Sequence, residues 1–309
     1  MVVNMNTIPS FLKTGSRVAL LAPSGPQPQE QFEAALESIK KLGLQPVVYP
    51  TCHYQHGFLA GTDEQRAKDL NDAFADDSID GILCIRGGYG AHRLMKLLDW
   101  DNIAKHPKML CGYSDITALH LYLNQYCEMV TWHTPMPGTE WYKELDEFTL
   151  QNLKTTLFGP LPAVLSNPPG AKFETLFPGK AEGVLVGGNL SLVGTTVGTF
   201  YEIDTKGKIL FLEDVDEEPY TIDRMLLQLK HAGKFADCAG IIFGPFTNCH
   251  TPKKERPGLT VSQVLQELVL TEGKPVLAGW ECGHVLPTAS VPLGLPVHLD
   301  ADAQKIKVM

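Results

Sequence analysis

The chain has 309 residues, of which 44% are hydrophobic and 20% are charged. This length suggests two domains of about 150 residues each, which can bury a core without disulfide or metal support. With 26 Lys and Arg against 35 Asp and Glu, the formal net charge is −9, which argues against a nucleic-acid-binding protein.

The first half of the sequence alternates short apolar runs with segments of helical periodicity. This alternation predicts an α/β fold built from βαβ units on a parallel sheet. The predicted strands are Arg17–Ala22, Gln45–Tyr49, Gly81–Ile85 and Met109–Gly112, and the predicted helices are Gln29–Leu42, Asp63–Phe74, Ala91–Leu98 and Asp115–Asn124. Thr62 is the expected N-cap of the second helix.

A proline-rich segment without periodicity then predicts a linker at 161–180, between an N-terminal domain at 1–160 and a C-terminal domain at 181–309. The second domain is predicted to contain more strand. Its expected elements are a strand at Glu182–Val186, a turn at Gly187–Asn189, a helix near Leu190–Thr199, a strand at Lys208–Leu212, a helix near Thr221–Ala232, strands at Gly240–Phe243 and Pro275–Gly279, and a hairpin of Val297–Leu299 with Lys305–Val308.

The cysteines and the N-terminal segment bear on the cellular location. The 7 cysteines are an odd number, and several stand in apolar runs such as ILCI, which is typical of small buried hydrophobic residues. The N-terminal segment MVVNMNTIPSFLKTG lacks the basic and apolar regions of a secretory signal. No apolar stretch approaches the roughly 20 residues that cross a membrane. We therefore expect a cytoplasmic protein without membrane contact.

The segment KMLCGYSDITALHLYL places Ser114 between a predicted strand and a predicted helix. In this setting a serine hydroxyl can project from a tight turn, beside helix N–H groups that favour developing negative charge. The pattern is G-x-S-x-I rather than the G-x-S-x-G of a nucleophile elbow. A serine that only caps the helix is the alternative interpretation.

A serine nucleophile requires a base and an orienting acid, and the second half of the sequence offers both. Glu213 is the first residue of the acidic series EDVDEE, at the predicted end of a strand. His284 lies in a loop bounded by glycine and proline, after the strand PVLAGW. The chain order Ser, Glu, His is that of α/β-hydrolases. An acidic loop in solvent and an exposed histidine are the alternatives.

The loop Arg86–Gly90 is rich in glycine and lies between a predicted strand and a predicted helix. It is neither a Walker loop nor a G-x-G-x-x-G motif. Its N–H groups predict an oxyanion hole or a carboxylate cradle, although a tight turn without function fits equally well. Cys52, His53 and His56 cluster in TCHYQH, but the chain has no C-x-x-C or H-E-x-x-H motif, and we expect no metal site.

Five segments together resemble the LD-carboxypeptidases, also called muramoyltetrapeptide carboxypeptidases. They are IRGGYGAHRLM, CGYSDITALHLYL, VGGNLSLV, FLEDVDEEPYTIDRMLLQLKHAG and the late GH, and the resemblance runs from about Val18 to Leu295. It implies an N-terminal parallel-sheet domain of flavodoxin-like type, a smaller β-rich α/β C-terminal domain, and a homodimer. It also places the serine peptidase triad of that family on Ser114, Glu213 and His284.

The resemblance implies a cofactor-independent enzyme that removes the terminal D-Ala from murein tetrapeptides, at an L,D bond, during cell-wall recycling. The muropeptide is the expected partner. Backbone N–H groups near Gly88 and Asp115 are expected to hold the oxyanion, and Arg86 a substrate carboxylate. Microcin C immunity peptidases, which hydrolyse peptidyl-nucleotides, are the related alternative. Their added loop supplies an aromatic residue, whereas the proline-rich segment here has no tryptophan. A two-domain protein that only binds a small ligand is the non-enzymatic alternative.

Overall fold

The computed structural model describes residues 6–251 and 258–309. These residues form two compact units. The N-terminal unit consists of Asn6–Leu161 and Ser290–Gly294, and the C-terminal unit consists of Pro162–Ala289 and Leu295–Met309 as far as they are described. The N-terminal unit therefore contains a short piece of chain, Ser290–Gly294, that lies far from its main segment in sequence.

The strands are numbered in chain order. They are β1 (Arg17–Leu21), β2 (Gln45–Val48), β3 (Gly81–Cys84), β4 (Met109–Gly112), β5 (Thr131–His133), β6 (Val164–Leu165), β7 (Glu174–Phe177), β8 (Lys180–Asn189), β9 (Ile209–Val215), β10 (Gly240–Thr247), β11 (Val276–Ala278), β12 (Val291–Leu293), β13 (Pro296–Asp300) and β14 (Lys305–Val308).

The α-helices are numbered in the same way. They are α1 (Gln29–Lys41), α2 (Asp63–Ala75), α3 (Trp100–Lys105), α4 (Thr117–Tyr126), α5 (Glu147–Phe158), α6 (Leu190–Thr195), α7 (Pro219–His231), α8 (Lys234–Asp237) and α9 (Val261–Leu268). Short 3₁₀ turns cover Pro50–His53, Ala91–Leu94, Ser114–Ile116 and Leu270–Glu272, and a π turn covers Pro137–Trp141. Across the described residues, no helix has the length and apolar character needed to cross a membrane.

The N-terminal unit is built on a sheet with the strand order β12-β5-β4-β3-β1-β2. Strands β1 to β5 are parallel, in the flavodoxin-like order 2-1-3-4-5, and β12 adds an antiparallel edge to β5. Strands β3 and β4 are buried along their whole length, which is why they appear in the sequence as unbroken apolar runs. The predicted α/β fold is confirmed.

The C-terminal unit is built on a second sheet with the order β6-β14-β13-β8-β9-β10-β11-β7. Its centre, β8 to β11, is parallel, and the strands at both flanks are antiparallel. Helices α6 to α9 belong to this unit, so it is α/β in class with a high strand content. This agrees with the expected β-rich second domain.

Several local predictions differ from the structure, three of them in the kind of element; the helix predicted near Leu190–Thr199 also ends early, at Thr195. The segment predicted as a linker supplies strands β6 and β7 to the second sheet, because pairing with distant strands overrides its proline-rich composition. The predicted turn Gly187–Asn189 is the end of β8, where a Cβ at Gly187 would stand 1.9 Å from the Phe211 carbonyl oxygen. The helix predicted at Ala91–Leu98 is a 3₁₀ turn ending at Leu94, since a helix this short depends on its tertiary contacts.

The start of α2 confirms the expected cap. The Thr62 side chain accepts from the Gln65 N–H, and the Gln65 side chain accepts from the Thr62 N–H. This reciprocal capping box satisfies two N–H groups that the helix leaves without a partner. It fixes the point from which α2 begins, and with it the position of Arg66 one turn later.

Candidate active site

Ser114 occupies a strained turn at the carboxyl end of β4. Its φ angle is +63°, in the left-handed region that a residue with a side chain seldom adopts. Such strain persists only where the surrounding fold imposes it, and it is frequent at functional positions. Ser114 is partly exposed and opens the 3₁₀ turn that leads into α4. Neither that turn nor α4 uses Ser114 as a side-chain cap, so the capping interpretation does not apply.

The glycine-rich loop after β3 packs directly against this turn. A Cβ at Gly87 would stand 2.9 Å from the Ser114 Cβ and 3.1 Å from its Oγ, so only glycine fits there. The loop also meets the loop after β1, where the Gly25 N–H donates to the Gly87 carbonyl at 3.1 Å. Parallel strands end at one edge of their sheet, which is why three loops gather around one hydroxyl.

Two backbone N–H groups near Ser114 are available to bind an anion. In the described part of the chain, no hydrogen bond uses the N–H of Gly88 or of Asp115. Gly88 is exposed, and Asp115 directly follows Ser114. The assignment of these two groups to an oxyanion hole stays a prediction, and the structure leaves both free to donate.

Arg86 lines an open groove of about 620 Å³ in the N-terminal unit, together with Gly88 and the aromatic residue Tyr89. Its Nη1 donates to the Pro26 carbonyl at 3.1 Å. Within the described residues no carboxylate forms an ion pair with Arg86. The guanidinium retains donors for an anionic ligand.

In the C-terminal unit, the buried Glu213 forms a hydrogen-bonded pair with His284, which is partly exposed. The His284 Nδ1 lies 2.7 Å from the Glu213 Oε2, and the Glu213 side chain is 0% exposed. The other Glu213 oxygen accepts from the Asn189 amide at 3.4 Å. A buried carboxylate is costly unless it is hydrogen-bonded, so the pair fixes the histidine ring as well as the acid.

The structure also distinguishes Glu213 from the next acid in the sequence. Glu213 lies within β9 rather than beyond it, because β10 pairs with β9 as far as Val215. The Asp214 carboxylate accepts from the Asn189 amide at 2.9 Å, the same amide nitrogen that contacts Glu213. It also accepts from the Ser191 N–H at 2.9 Å and from the Ser191 hydroxyl at 2.8 Å, at the start of α6. Asp214 is thereby committed to the helix start.

The loop that carries His284 needs glycine beside the carboxylate. A Cβ at Gly283 would stand 2.6 Å from the Glu213 Oε2, closer than any real contact allows. In the neutral imidazole one ring nitrogen carries the proton and the other accepts. With Nδ1–H donating to Glu213, the Nε2 of the neutral ring carries the acceptor lone pair and is suited to act as a base.

Cys52, His53 and His56 do not form a common binding site. The Cys52 thiol is buried and donates to the Leu20 carbonyl, and burial raises its pKa, so it stays protonated. His53 packs edge-on against Phe32, and His56 is exposed. Among residues 6–251 and 258–309, no three His, Cys, Asp or Glu side chains are grouped to hold a metal ion.

Sequence reasoning missed three residues that support these positions, namely Ser24, Arg66 and Asn189. Ser24 and Arg66 contact the loops around Ser114, and Asn189 contacts Glu213. Ser24 stands in the PSGP turn after β1, a position typical of ligand-binding loops, which could have drawn notice. Arg66 resembles an exposed residue of a charged helix, and nothing local indicates its burial.

The N-terminal domain of the LD-carboxypeptidases matches residues 18–134, and their C-terminal domain matches residues 182–299. A Bacillus subtilis protein named "Probable murein peptide carboxypeptidase" is 42% identical over 309 residues, which covers 100% of this chain and 96% of that protein.

Two solved structures share the fold across nearly the whole chain. An MccF-like protein from Bacillus anthracis has a TM-score of 0.87 and 24% identity, covering 98% of this chain and 99% of that one. A muramoyltetrapeptide carboxypeptidase from Oxalobacter formigenes has a TM-score of 0.81 and 28% identity, covering 95% and 98%. At its level of identity the first likeness speaks for the fold alone.

Proposed function

This chain belongs to the LD-carboxypeptidase family, and from that premise we propose that it removes the C-terminal D-Ala from murein tetrapeptides. The bond cleaved joins the L-centre of the diamino acid to D-Ala. The observation that carries the proposal is the hydrogen bond from His284 to the buried Glu213 carboxylate, which sets the imidazole as a base. The chain is a carboxypeptidase hydrolase, and Ser114, Glu213 and His284 are its proposed triad.

The first step activates the serine. The Nε2 of His284 takes the proton from the Ser114 hydroxyl, while the Nδ1–H stays hydrogen-bonded to Glu213. The imidazolium that forms is stabilised by the carboxylate, which is already in place and buried. Glu213 therefore needs no reorganisation during the reaction, and it keeps its negative charge.

The second step forms and breaks the bonds of an acyl transfer. The Ser114 Oγ attacks the carbonyl carbon that precedes D-Ala, and the N–H groups of Gly88 and Asp115 stabilise the oxyanion. The tetrahedral intermediate expels the amine of D-Ala, which takes its proton from His284. Water, deprotonated by His284, then releases the tripeptide from the acyl-enzyme and restores the serine.

Substrate binding must overcome the net charge of −9, because a murein tetrapeptide is itself anionic. Arg86 provides a local positive charge that can attract such a substrate. Its guanidinium lines a groove and is not neutralised by a carboxylate within the described residues. We assign it to the C-terminal carboxylate of D-Ala, which an exopeptidase must recognise. A bidentate pair with that carboxylate would give both affinity and orientation.

Cell-wall recycling takes place in the cytoplasm, and we propose that location together with a homodimeric state. The 7 cysteines are all free thiols, which agrees with a reducing compartment. Fractionation of the native host and light scattering of the purified protein test the two statements separately.

The decisive experiment is mass spectrometry of a murein tetrapeptide after incubation with the protein. We expect loss of one alanine, and none with Ser114→Ala. A peptidyl-nucleotide offered in the same assay tests the microcin-type alternative. Cleavage of the peptidyl-nucleotide but not of the tetrapeptide would overturn the proposed substrate. Stoichiometric labelling of Ser114 by a fluorophosphonate excludes a protein that only binds a ligand.

A further inference from the structure

Two buried side chains of opposite charge, Arg66 and Asp115, hold the loops around Ser114. The triad chemistry uses neither of them. The Arg66 side chain is 0% exposed and Asp115 is 1% exposed. Charges are seldom buried so completely unless close partners hold them, so their contacts indicate what they do.

The Arg66 guanidinium, on α2, binds the backbone of two loops. Its Nη1 donates to the Pro23 carbonyl at 2.6 Å and to the Gly90 carbonyl at 2.9 Å. Its Nη2 donates to Asp63, one turn earlier on the same helix. One cation thus joins the loop after β1 to the loop after β3, while Asp63 balances its charge.

The Asp115 carboxylate binds the same two loops from the other side. Its Oδ2 accepts from the Ser24 hydroxyl at 2.5 Å and from the Ala91 N–H at 2.7 Å. In each loop, two consecutive residues are therefore held. The first, Pro23 or Gly90, accepts from the Arg66 guanidinium through its carbonyl, and the second, Ser24 or Ala91, donates to the Asp115 carboxylate. The direct hydrogen bond between Gly25 and Gly87 closes the arrangement nearer to Ser114.

Without these anchors the loop after β3 would have wide conformational freedom. Gly88 has a φ of +117° and Gly90 a φ of +127°, in a region that glycine reaches easily and leaves as easily. The N–H of Gly88 can act on an oxyanion only if it points to one place relative to Ser114. A displacement of about 1 Å in such a site can cost about 100-fold in rate.

We propose that Arg66, Asp115 and Ser24 are positioning residues that fix the Gly88 N–H relative to the Ser114 hydroxyl. Arg66 and Ser24 act on the reaction only through the backbone they hold, and the same is true of the Asp115 carboxylate. The inference rests on the proposed function in one respect, because it assigns the Gly88 N–H to the oxyanion.

The test compares Arg66→Met, Arg66→Lys and the wild type in tetrapeptide cleavage. Met fills the space but donates to neither carbonyl, so we expect kcat to fall about 100-fold while KM changes less than about threefold. Lys retains a cation that can reach one carbonyl, so we expect an intermediate kcat. A general loss of structure would not give this graded effect on kcat alone.

Lys108→Met is the matched control. Lys108 is also a buried cation that donates to backbone carbonyls, those of Ala73 and Asp76 at the far end of α2. We expect Lys108→Met to lower the melting temperature and leave kcat unchanged. If Arg66→Met lowered only the melting temperature, as Lys108→Met is expected to do, the positioning role would be wrong.

Ser24→Ala covers the case in which Arg66→Met does not fold. It removes only a hydroxyl, so the protein should stay folded, and we expect kcat to fall about tenfold with KM unchanged. An unchanged kcat in Ser24→Ala would contradict the proposal.

The rate of Ser114 labelling by a fluorophosphonate separates this inference from the proposed function. The phosphonyl oxygen requires the same N–H donors, so the Arg66→Met and Ser24→Ala variants should be labelled more slowly by similar factors. If the wild type were labelled but did not cleave the tetrapeptide, the proposed substrate would be wrong, and the positioning role could still be tested by the labelling rates. If the wild type were neither labelled nor able to cleave the tetrapeptide, both the proposed function and the positioning role would be wrong.

Discussion

Gly87 and Ser114 are in such close contact that the nucleophile's position depends on the absence of a side chain at residue 87. An added methyl group would stand 2.9 Å from the Ser114 Cβ. We expect Gly87→Ala to displace the hydroxyl and lower kcat about 100-fold in a folded protein. Gly194→Ala is the control, because a Cβ there meets only Met225 at 3.8 Å. Equal activity of the two variants would show that the contact is not important.

The triad predicts a non-additive pattern. Ser114→Ala and His284→Ala should each lower kcat by about 10⁴-fold or more, and the double variant should be little worse than either, since the two groups act as one unit. Glu213→Gln should also lower kcat strongly, whereas Glu217→Gln, in the same acidic series, should not. The reverse result for the two glutamates, in steady-state kinetics, would move the acid to Glu217.

Arg86 predicts a specific dependence on the substrate carboxylate. Amidation of the terminal D-Ala should lower kcat/KM of the wild type by about 10- to 100-fold, because it removes a charge-assisted hydrogen-bonded pair. Arg86→Ala should be slow with both substrates and nearly indifferent to amidation. A variant that still discriminated strongly between acid and amide would place the carboxylate elsewhere.

His120 predicts a loss of stability in acid. Its ring is buried against the Gly112 carbonyl, and burial lowers its pKa from 6.5 to about 4. The unfolded chain therefore takes up a proton before the folded one does, so the stabilisation is complete above pH 6.5 and is lost as the pH falls towards 4. We expect His120→Gln, which can still donate to that carbonyl, to reduce this loss by about 3 kcal/mol. Urea unfolding at pH 7 and pH 4 measures it, and an equal loss in both proteins would contradict the assignment.

The parallel strands of the N-terminal unit could be predicted because burial on both faces leaves continuous apolar runs. Strand β1 ends at Leu21 against an expected Ala22, and β4 has the expected bounds. Strands β5 and β12 could not be predicted. Each has three residues, and β12 contains a proline, so their strand conformation depends on pairing with segments distant in sequence, β12 with β5 and β5 also with β4.

In the candidate site, too, the features that depend on local sequence could be predicted, and those that depend on long-range contacts could not. The strained turn at Ser114 follows from a strand running into a helix, which the sequence displays. The sequence predicts that β9 ends at Leu212, but the strand continues to Val215. Its last residues are strand because they pair with β10, and this pairing between distant segments is not visible in the local sequence. The role of Arg66 could not be predicted either, since the two carbonyls it holds belong to loops far from it in sequence.

Strand β12 makes the completion of the first sheet depend on a segment that is synthesised only after residues 162–289 of the C-terminal unit. Until residues beyond 290 leave the ribosome, β5 keeps an open edge of the kind that invites pairing with another chain. A gene fragment ending after Leu161 would carry that edge permanently. A single recombination event between relatives would join the sheet of one parent to the edge strand of the other. We therefore expect the two units to be inherited together.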